Sequence, residues 1–235
     1  MKYLHLGLVF LSASSYAAEQ TQNCLPNADF NPHNRFHQEV IDTDAGDFKV
    51  VNDKATGLQW SYCFVGQTLS ADQSSCEGQP IVPYDLEGGK YPNNRKAAME
   101  ALALENERLD YNDKSWRLPN VKELMSIYNE QCTPAYYPNF SYTVNQTASE
   151  IDDLVHTKIP WGGVEDEVAE ARARSEKGKA YQRHSVTSDT AFIDNKKELS
   201  YTVVRFGGFD TPTKTTALIL KPSGMLRLVR EIPQQ

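Results

Sequence analysis

The chain has 235 residues, 40% of them hydrophobic, which is ordinary for a globular protein and enough for one sizeable core. A short N-terminal extension is easier to accommodate than a second domain. Its 31 acidic residues outnumber 24 basic ones, for a formal net charge of −7, and an acidic surface is a poor general binder of polyanions, so nucleic acid is not an expected partner.

Residues 1–17 carry one basic residue, Lys2, then an apolar stretch from Leu4 to Ala13 and a small-residue exit at Ser15-Tyr16-Ala17. That order predicts a cleaved secretory signal peptide. At about ten residues the apolar stretch is too short to span a bilayer. The mature chain is therefore expected to be soluble and exported, with no membrane span. Cleavage removes Lys2 and no acid, so 23 basic residues face 31 acidic ones and the charge becomes −8.

Residues 18–45 are rich in Asn, Pro, Asp and His, which predicts an irregular N-terminal arm ahead of a domain over 46–235. Phe48 to Val51 and Gly57 to Tyr62 are strand-like runs around the turn-forming cluster Asn52 to Gly57, so a β-hairpin is expected. Cys63 to Asn93 is loop-rich. Its Gly88-Gly89-Lys90 lacks the spacing and the following hydroxyl of a phosphate loop.

Asn94 to Leu109 contains no Gly or Pro and places Ala98, Ala101, Leu102 and Leu109 near one face, predicting an amphipathic helix capped by Asn93 or Asn94. Trp116-Arg117-Leu118-Pro119 then reads as a short extended run ending where Pro119 cheaply starts a second helix. Asn120 and Glu123 have the spacing of a capping box, and Arg117 is placed to fix a carboxylate. Val121, Leu124, Met125 and Tyr128 extend the helical periodicity to Gln131.

Tyr136 to Gly163, with Pro138, Pro160, Phe140 and Trp161, predicts a long loop region. Val164 to Lys177 is acidic early, at Glu165, Asp166, Glu167 and Glu170, and basic late, at Arg172, Arg174 and Lys177. That polarity suits a helix dipole, and Gly178 reads as its exit. Thr202 to Phe206, Ala217 to Leu220 and Leu226 to Val229 are strand-like. Strands and helices segregated in this way predict an α+β fold rather than a doubly wound sheet.

Cys24, Cys63, Cys76 and Cys132 form an even set, expected to be oxidised in an exported chain, with three connectivities open. Cys63 and Cys76 flank a polar loop with little capacity to hold itself by burial, so they are paired locally, which leaves Cys24 for Cys132. No Cys-x-x-Cys spacing supports a metal site.

Taken in order, Asp53-x-x-Thr56-Gly57-Leu58-Gln59-Trp60, Cys63 with Val65-Gly66-Gln67-Thr68, Cys76-x-Gly78, Trp116-Arg117-Leu118-Pro119-Asn120 with Lys122-Glu123-Leu124, and Leu226-Arg227-Leu228-Val229-Arg230 resemble the Lcl C-terminal domain family. The resemblance spans Gly46 to Arg230. It implies an exported, disulfide-bearing, C-type-lectin-like α+β fold with two helices, mostly antiparallel strands and long loops. Trp60, Trp116, Arg117, Leu118 and Pro119 are its structural motif residues. The family usually carries a Tyr-Trp-Ser-Ser segment where this chain has His184-Ser185-Val186-Thr187-Ser188-Asp189, without Trp. The stretch from Phe140 to His184 is longer than usual, so a charged helix over 164–178 is expected to be an insertion.

Catalytic chemistry finds little support. His33 and His37 are four apart, but Pro32 disfavours the helix that would align them on a metal. Ser185, His184 and Asp189 are too close in a strand to form a triad. Glu165-Asp166-Glu167 is better read as a solvated helix start than as a glycosidase pair. No Glu-Pro-Asn, Trp-Asn-Asp or Asp-x-Asp-x-Asp-Gly sequence supports calcium, so no cofactor is expected. Tyr136, Tyr137, Trp161, Arg174, Arg183, Lys196 and Lys197 are the candidate ligand contacts, because aromatic and basic groups in loops suit sugars or acidic partners. The expected function is a non-enzymatic binding module for a glycan or an envelope or surface protein. The alternatives are a subunit of an envelope assembly such as a pilus and, third, a formylglycine-generating-type enzyme, which needs reactive thiols this chain is expected to have tied up.

Overall fold

The computed structural model describes residues 22–88, 93–109, 115–193, 199–207, 215–217 and 223–233. In chain order these form β1 (Asn23–Cys24), a single 3-10 turn at Pro32–Asn34, β2 (Phe36–Thr43), β3 (Gly46–Asp53), β4 (Leu58–Ser61), β5 (Thr68–Leu69) and β6 (Cys76–Glu77). Then come α1 (Asn94–Leu109), α2 (Val121–Ser126), β7 (Cys132–Thr133), α3 (Ala148–Val155) and α4 (Glu165–Gln182). The last elements are β8 (Ser185–Ile193), β9 (Leu199–Arg205), β10 (Thr215–Ala217) and β11 (Val229–Glu231).

The expected hairpin is β3–β4, paired from Val50↔Ser61 to Asp53↔Leu58. Gly57, at φ +71°, closes its turn and donates its N–H to Asp53 O, a conformation glycine adopts without strain. The hairpin sits inside a four-stranded antiparallel sheet of order β11-β4-β3-β2. A second antiparallel sheet, β10-β9-β8, holds the C-terminal strands. A parallel bridge between Val186 and Met225 joins it to the segment that leads into β11. The fold is α+β with antiparallel sheets.

Side chains alternate across a strand, so adjacent Val50 and Val51 face opposite ways. Both are fully buried, because the first sheet is covered on each side. Val50 packs with Ala98, Leu102 and Leu109 of α1 and with Trp116, Leu118, Leu226 and Leu228. Val51 packs into a larger aromatic cluster with Phe36, Trp60, Phe64, Tyr136, Phe140 and Phe206.

Several expectations need correction. The arm over 18–45 is not irregular throughout: Phe36–Thr43 is an eight-residue strand paired along its whole length with β3. Its Asn and His content hid a Phe-x-x-x-Val-Ile pattern that the sheet completes. The second helix stops at Ser126 rather than Gln131, because Tyr128 leaves the helix to bridge Tyr136 and Asn129 turns the chain through a bond from its N–H to Ala135 O. The long loop contains α3, started by a Thr147–Glu150 capping box. The charged helix does not end at Gly178 but continues to Gln182. Gly178 is where α4 crosses α3: a Cβ there would lie 2.5 Å from Val155 N and 2.6 Å from Leu154 Cβ. Its lack of a side chain serves close helix packing, not helix exit. In the last third, only Val229 of the Leu226–Val229 run begins a strand, β8 was not anticipated as a nine-residue strand, and 218–220 lie outside the described residues.

Both expected disulfides are formed, Cys63–Cys76 and Cys24–Cys132. The second ties β1 to β7 at the paired positions Cys24↔Cys132 and anchors the N-terminal segment. Among the described residues no helix is long and apolar enough to cross a membrane. The predicted signal segment 1–17 lies outside them.

Candidate functional site

The Trp116–Glu123 octet is scaffold. Trp116 and Leu118 are buried, and Arg117 makes a bidentate pair with Glu123 at 2.8 Å through both oxygens. Glu123 Oε2 also accepts the Asn120 N–H while Asn120 Oδ1 accepts the Glu123 N–H, so the capping box and the ion pair share one carboxylate. Burial works to raise the Glu123 pKa, but Arg117 and the Asn120 N–H outweigh it and hold the group below its usual value. Pro119 contributes its carbonyl to the Asp189 N–H. Trp60 is wholly buried against Phe140.

At the centre of the body lies Arg227, fully buried and, among the described residues, without a carboxylate partner. Its Nη1 donates to Ser61 O and Tyr62 O at 2.8 and 2.7 Å, and its Nη2 donates to Ser141 O. The guanidinium lies 4.2 Å from the Phe64 ring centre and 5.6 Å from those of Tyr136 and Phe140. Burial pushes its pKa down to about 10, opposed by Tyr136 and Tyr62, so it stays charged near neutrality. Carbonyl dipoles and ring faces replace the missing anion.

That arrangement overturns one candidate contact. Tyr136 is wholly buried, stacked 4.1 Å from the Phe206 ring, and belongs to the core. Its place in a Pro-rich stretch gave no sign of this. Tyr137 is half-buried with its ring 4.9 Å from that of Phe36, so it is largely scaffold too. Lys196 and Lys197 lie outside the described residues. Arg174 is exposed on α4 and Arg183 half-buried at its end.

Trp161 has the opposite character. It is 101% exposed in the connection between α3 and α4, flanked by Ile159 at 42% and Val164 at 66%. Pro160 before it and Gly162, at φ +72°, after it keep the connection short and turn the indole outward. The acids Glu165, Asp166 and Glu167 follow at once, and Asp152 and Asp153 are exposed on α3. The tip is an apolar knob beside a field of carboxylates. Ile159 and Val164 were not anticipated as part of it, although their place beside Trp161 just ahead of the expected charged helix was the available signal.

The C-terminal half of α4 carries the opposite charge. Lys177 donates to Gln79 Oε1 at 2.9 Å, and burial together with neighbouring Arg174 holds its pKa below the usual value. Burial likewise lowers Arg205, with Arg183 adding to the effect and Glu176 opposing it. Alongside runs the segment 79–86. Pro80 O accepts the Tyr181 hydroxyl, Tyr84 interacts electrostatically with Arg172 and Glu176, and Ile81 and Leu86 are exposed at 41% and 49%.

Two other features carry no functional assignment. A cavity of about 270 Å³ opens beside the β2–β3 turn and β5. Most of its polar groups are already committed: Lys49 to Gln73 O, Ser70 to Asp72, Arg108 to Glu105, and Gln67 to Phe64, Gly78 and Thr143. His184 is buried, Asp189 pairs with Arg95, and the paper triad with Ser185 is not assembled. Among the described residues no cluster of His, Cys, Asp or Glu could hold a metal, and no cysteine is free.

The fold and these surfaces define a disulfide-stapled α+β domain with a projecting helical hairpin. The family model of the Lcl C-terminal domain matches residues 49–230, and the chain belongs to that family. Comparison with the curated proteins and with the solved structures gives no match.

Proposed function

We propose that this protein is an exported, non-enzymatic binding module of C-type-lectin-like fold, acting at the cell surface or envelope in adhesion to, or recognition of, a glycan or a protein. The observation that carries the reading is Trp161, fully exposed at the tip of the α3–α4 hairpin. An indole held in water contributes nothing to the stability of its own domain, yet it is the side chain most enriched at binding hot spots and stacks well on sugar faces. The signal-like segment 1–17 and two disulfides support export, since disulfides persist in oxidising compartments. Pairing of all four cysteines supports this reading over a formylglycine-generating-type enzyme.

The test is a glycan array and a mucin and surface-protein binding assay with the oxidised protein and Trp161→Ala. Saturable binding that falls about tenfold or more in the variant is expected. Absence of saturable binding to every target, or equal binding by both proteins, refutes the proposal.

A further inference from the structure

The two halves of the α3–α4 hairpin are complementary to each other and unable to meet within one molecule. At the tip, Ile159, Trp161 and Val164 are exposed beside Glu165, Asp166 and Glu167. Further along α4, Arg172 and Lys177 interact with the segment that exposes Ile81 and Leu86 and half-exposes Tyr84, with Arg174 near Lys177 and the acids Glu176 and Asp85 near Tyr84. The bond from Lys177 to Gln79 and the interaction of Arg172 with Tyr84 run that segment antiparallel to α4, which makes one mixed apolar and basic strip. Arg172 and Lys177 are roughly 10 and 18 Å along the helix axis from Glu165. The full exposure of Trp161 shows that the tip does not fold back onto its own strip.

We infer that the Trp161 tip of one molecule docks on the Ile81–Tyr84–Leu86 and Arg172–Lys177 strip of a second copy. The inference deepens the binding-module reading, on which it rests in that both use the same tip. The argument is complementarity of two kinds at once. The tip offers apolar surface with carboxylates, and the strip offers apolar surface with Arg172, Arg174 and Lys177, which outnumber its acids Asp85 and Glu176. Lys177 is held below its usual pKa by burial and by Arg174, and an incoming carboxylate relieves that like-charge crowding. A lipid bilayer fits less well, because the acids beside the tip oppose an anionic surface. Each contact uses the tip of one molecule and the strip of the other, so it either repeats head to tail or is doubled in a two-fold dimer whose tips each seat on the partner's strip.

The experiment is sedimentation velocity of the oxidised protein over a concentration series, at low and high salt, with variants of each surface. Trp161→Ala disables the tip. Arg172→Glu with Lys177→Glu disables the strip, and Arg174→Glu repeats that test at an exposed position. Wild type is expected to show concentration-dependent association, weakened at high salt. Each variant alone is expected to weaken association by about tenfold or more. An equimolar mixture of tip and strip variants has one intact donor and one intact acceptor, so it should form dimers and go no further.

A wild-type protein that stays monomeric up to about 0.5 mM, well above the micromolar range of specific contacts, overturns the inference. So does a closed dimer insensitive to both variants, a mixture that fails to dimerise, or monomeric protein that binds phosphatidylcholine vesicles through Trp161. Failure here and failure of the proposed function are separable. Monomeric protein with Trp161-dependent glycan or mucin binding sinks only the self-docking, whereas the stated association without any glycan, mucin or surface-protein binding sinks only the recognition role.

Discussion

Replacing Arg227 by Met keeps the length and most of the volume of the stem while removing the guanidinium from the core. Two effects then compete. Removing a buried charge that lacks a carboxylate partner returns several kcal/mol of desolvation. Against this, Ser61 O, Tyr62 O and Ser141 O each lose a charged donor; Tyr62 O keeps the Ser141 N–H, while a buried acceptor left without a partner costs about 1–3 kcal/mol. The carbonyls should win, because Ser61 is held in β4 and Ser141 and Tyr62 are tied together by the bond from Ser141 N to Tyr62 O. They cannot turn to water, and the cation contacts with Phe64, Tyr136 and Phe140 disappear as well. We expect a net loss of about 3 kcal/mol, read as a urea midpoint lowered by about 1–2 M for a slope of about 2 kcal/mol per molar. Tryptophan fluorescence reports it through buried Trp60 and Trp116. Arg227→Lys keeps the charge but not the fork, and should fall between the two. A Met variant as stable as the parent, or more stable, refutes the idea that the carbonyls depend on this guanidinium.

Burial lowers the His184 pKa from 6.5 to about 4, so the unfolded chain takes up its proton first. Stability present above pH 6.5 should fall by about 3 kcal/mol as the pH drops to 4, and His184→Asn, which tolerates the φ of 44° there, should remove that slope. Urea unfolding at pH 7 and 4.5 checks it, and equal losses in parent and variant count against the assignment. Gly178→Ala gains about 1 kcal/mol of helix propensity, yet its Cβ meets backbone 2.5 Å away, so a net loss of about 1–2 kcal/mol and a lower melting temperature are expected; a rise would contradict the close α3–α4 crossing. Double Cys→Ser replacement at Cys24 and Cys132, 108 residues apart, should cost about 5 kcal/mol, and at Cys63 and Cys76, 13 apart, about 3, by loop entropy. Paired thermal melts that reverse this order would show that local packing, not loop length, governs the two bridges.

Where a signal is local, the sequence was a sufficient guide. α1 spans Asn94–Leu109 as its apolar spacing predicts, with Asn93 accepting the Lys96 N–H at 3.1 Å as the expected cap. The Asn120–Glu123 capping box, the hairpin at Gly57 and both cysteine pairs follow from spacing. The exposure of Trp161 was partly legible, because Pro160 and Gly162-Gly163 leave an indole between two helices with no apolar repeat to receive it. The Thr147–Glu150 capping box that opens α3 was also in view, and it was obscured by the surrounding loop-like composition.

The residues by themselves determined the family through motif order, the α+β class and the charge polarity of α4 through local pattern, and they pointed to the two bridges through an even cysteine set with one polar loop. Only the tertiary structure decided that Tyr136 lies beneath Arg227 while Trp161 stands in solvent, since two aromatic residues in irregular segments look alike until the surrounding walls exist. It also decided that Gly178 lets one helix approach another, and that the segment 79–86 runs beside the cations of α4. Burial and the meeting of distant charges are properties of contacts between parts of the chain far apart in sequence, and no local pattern encodes them.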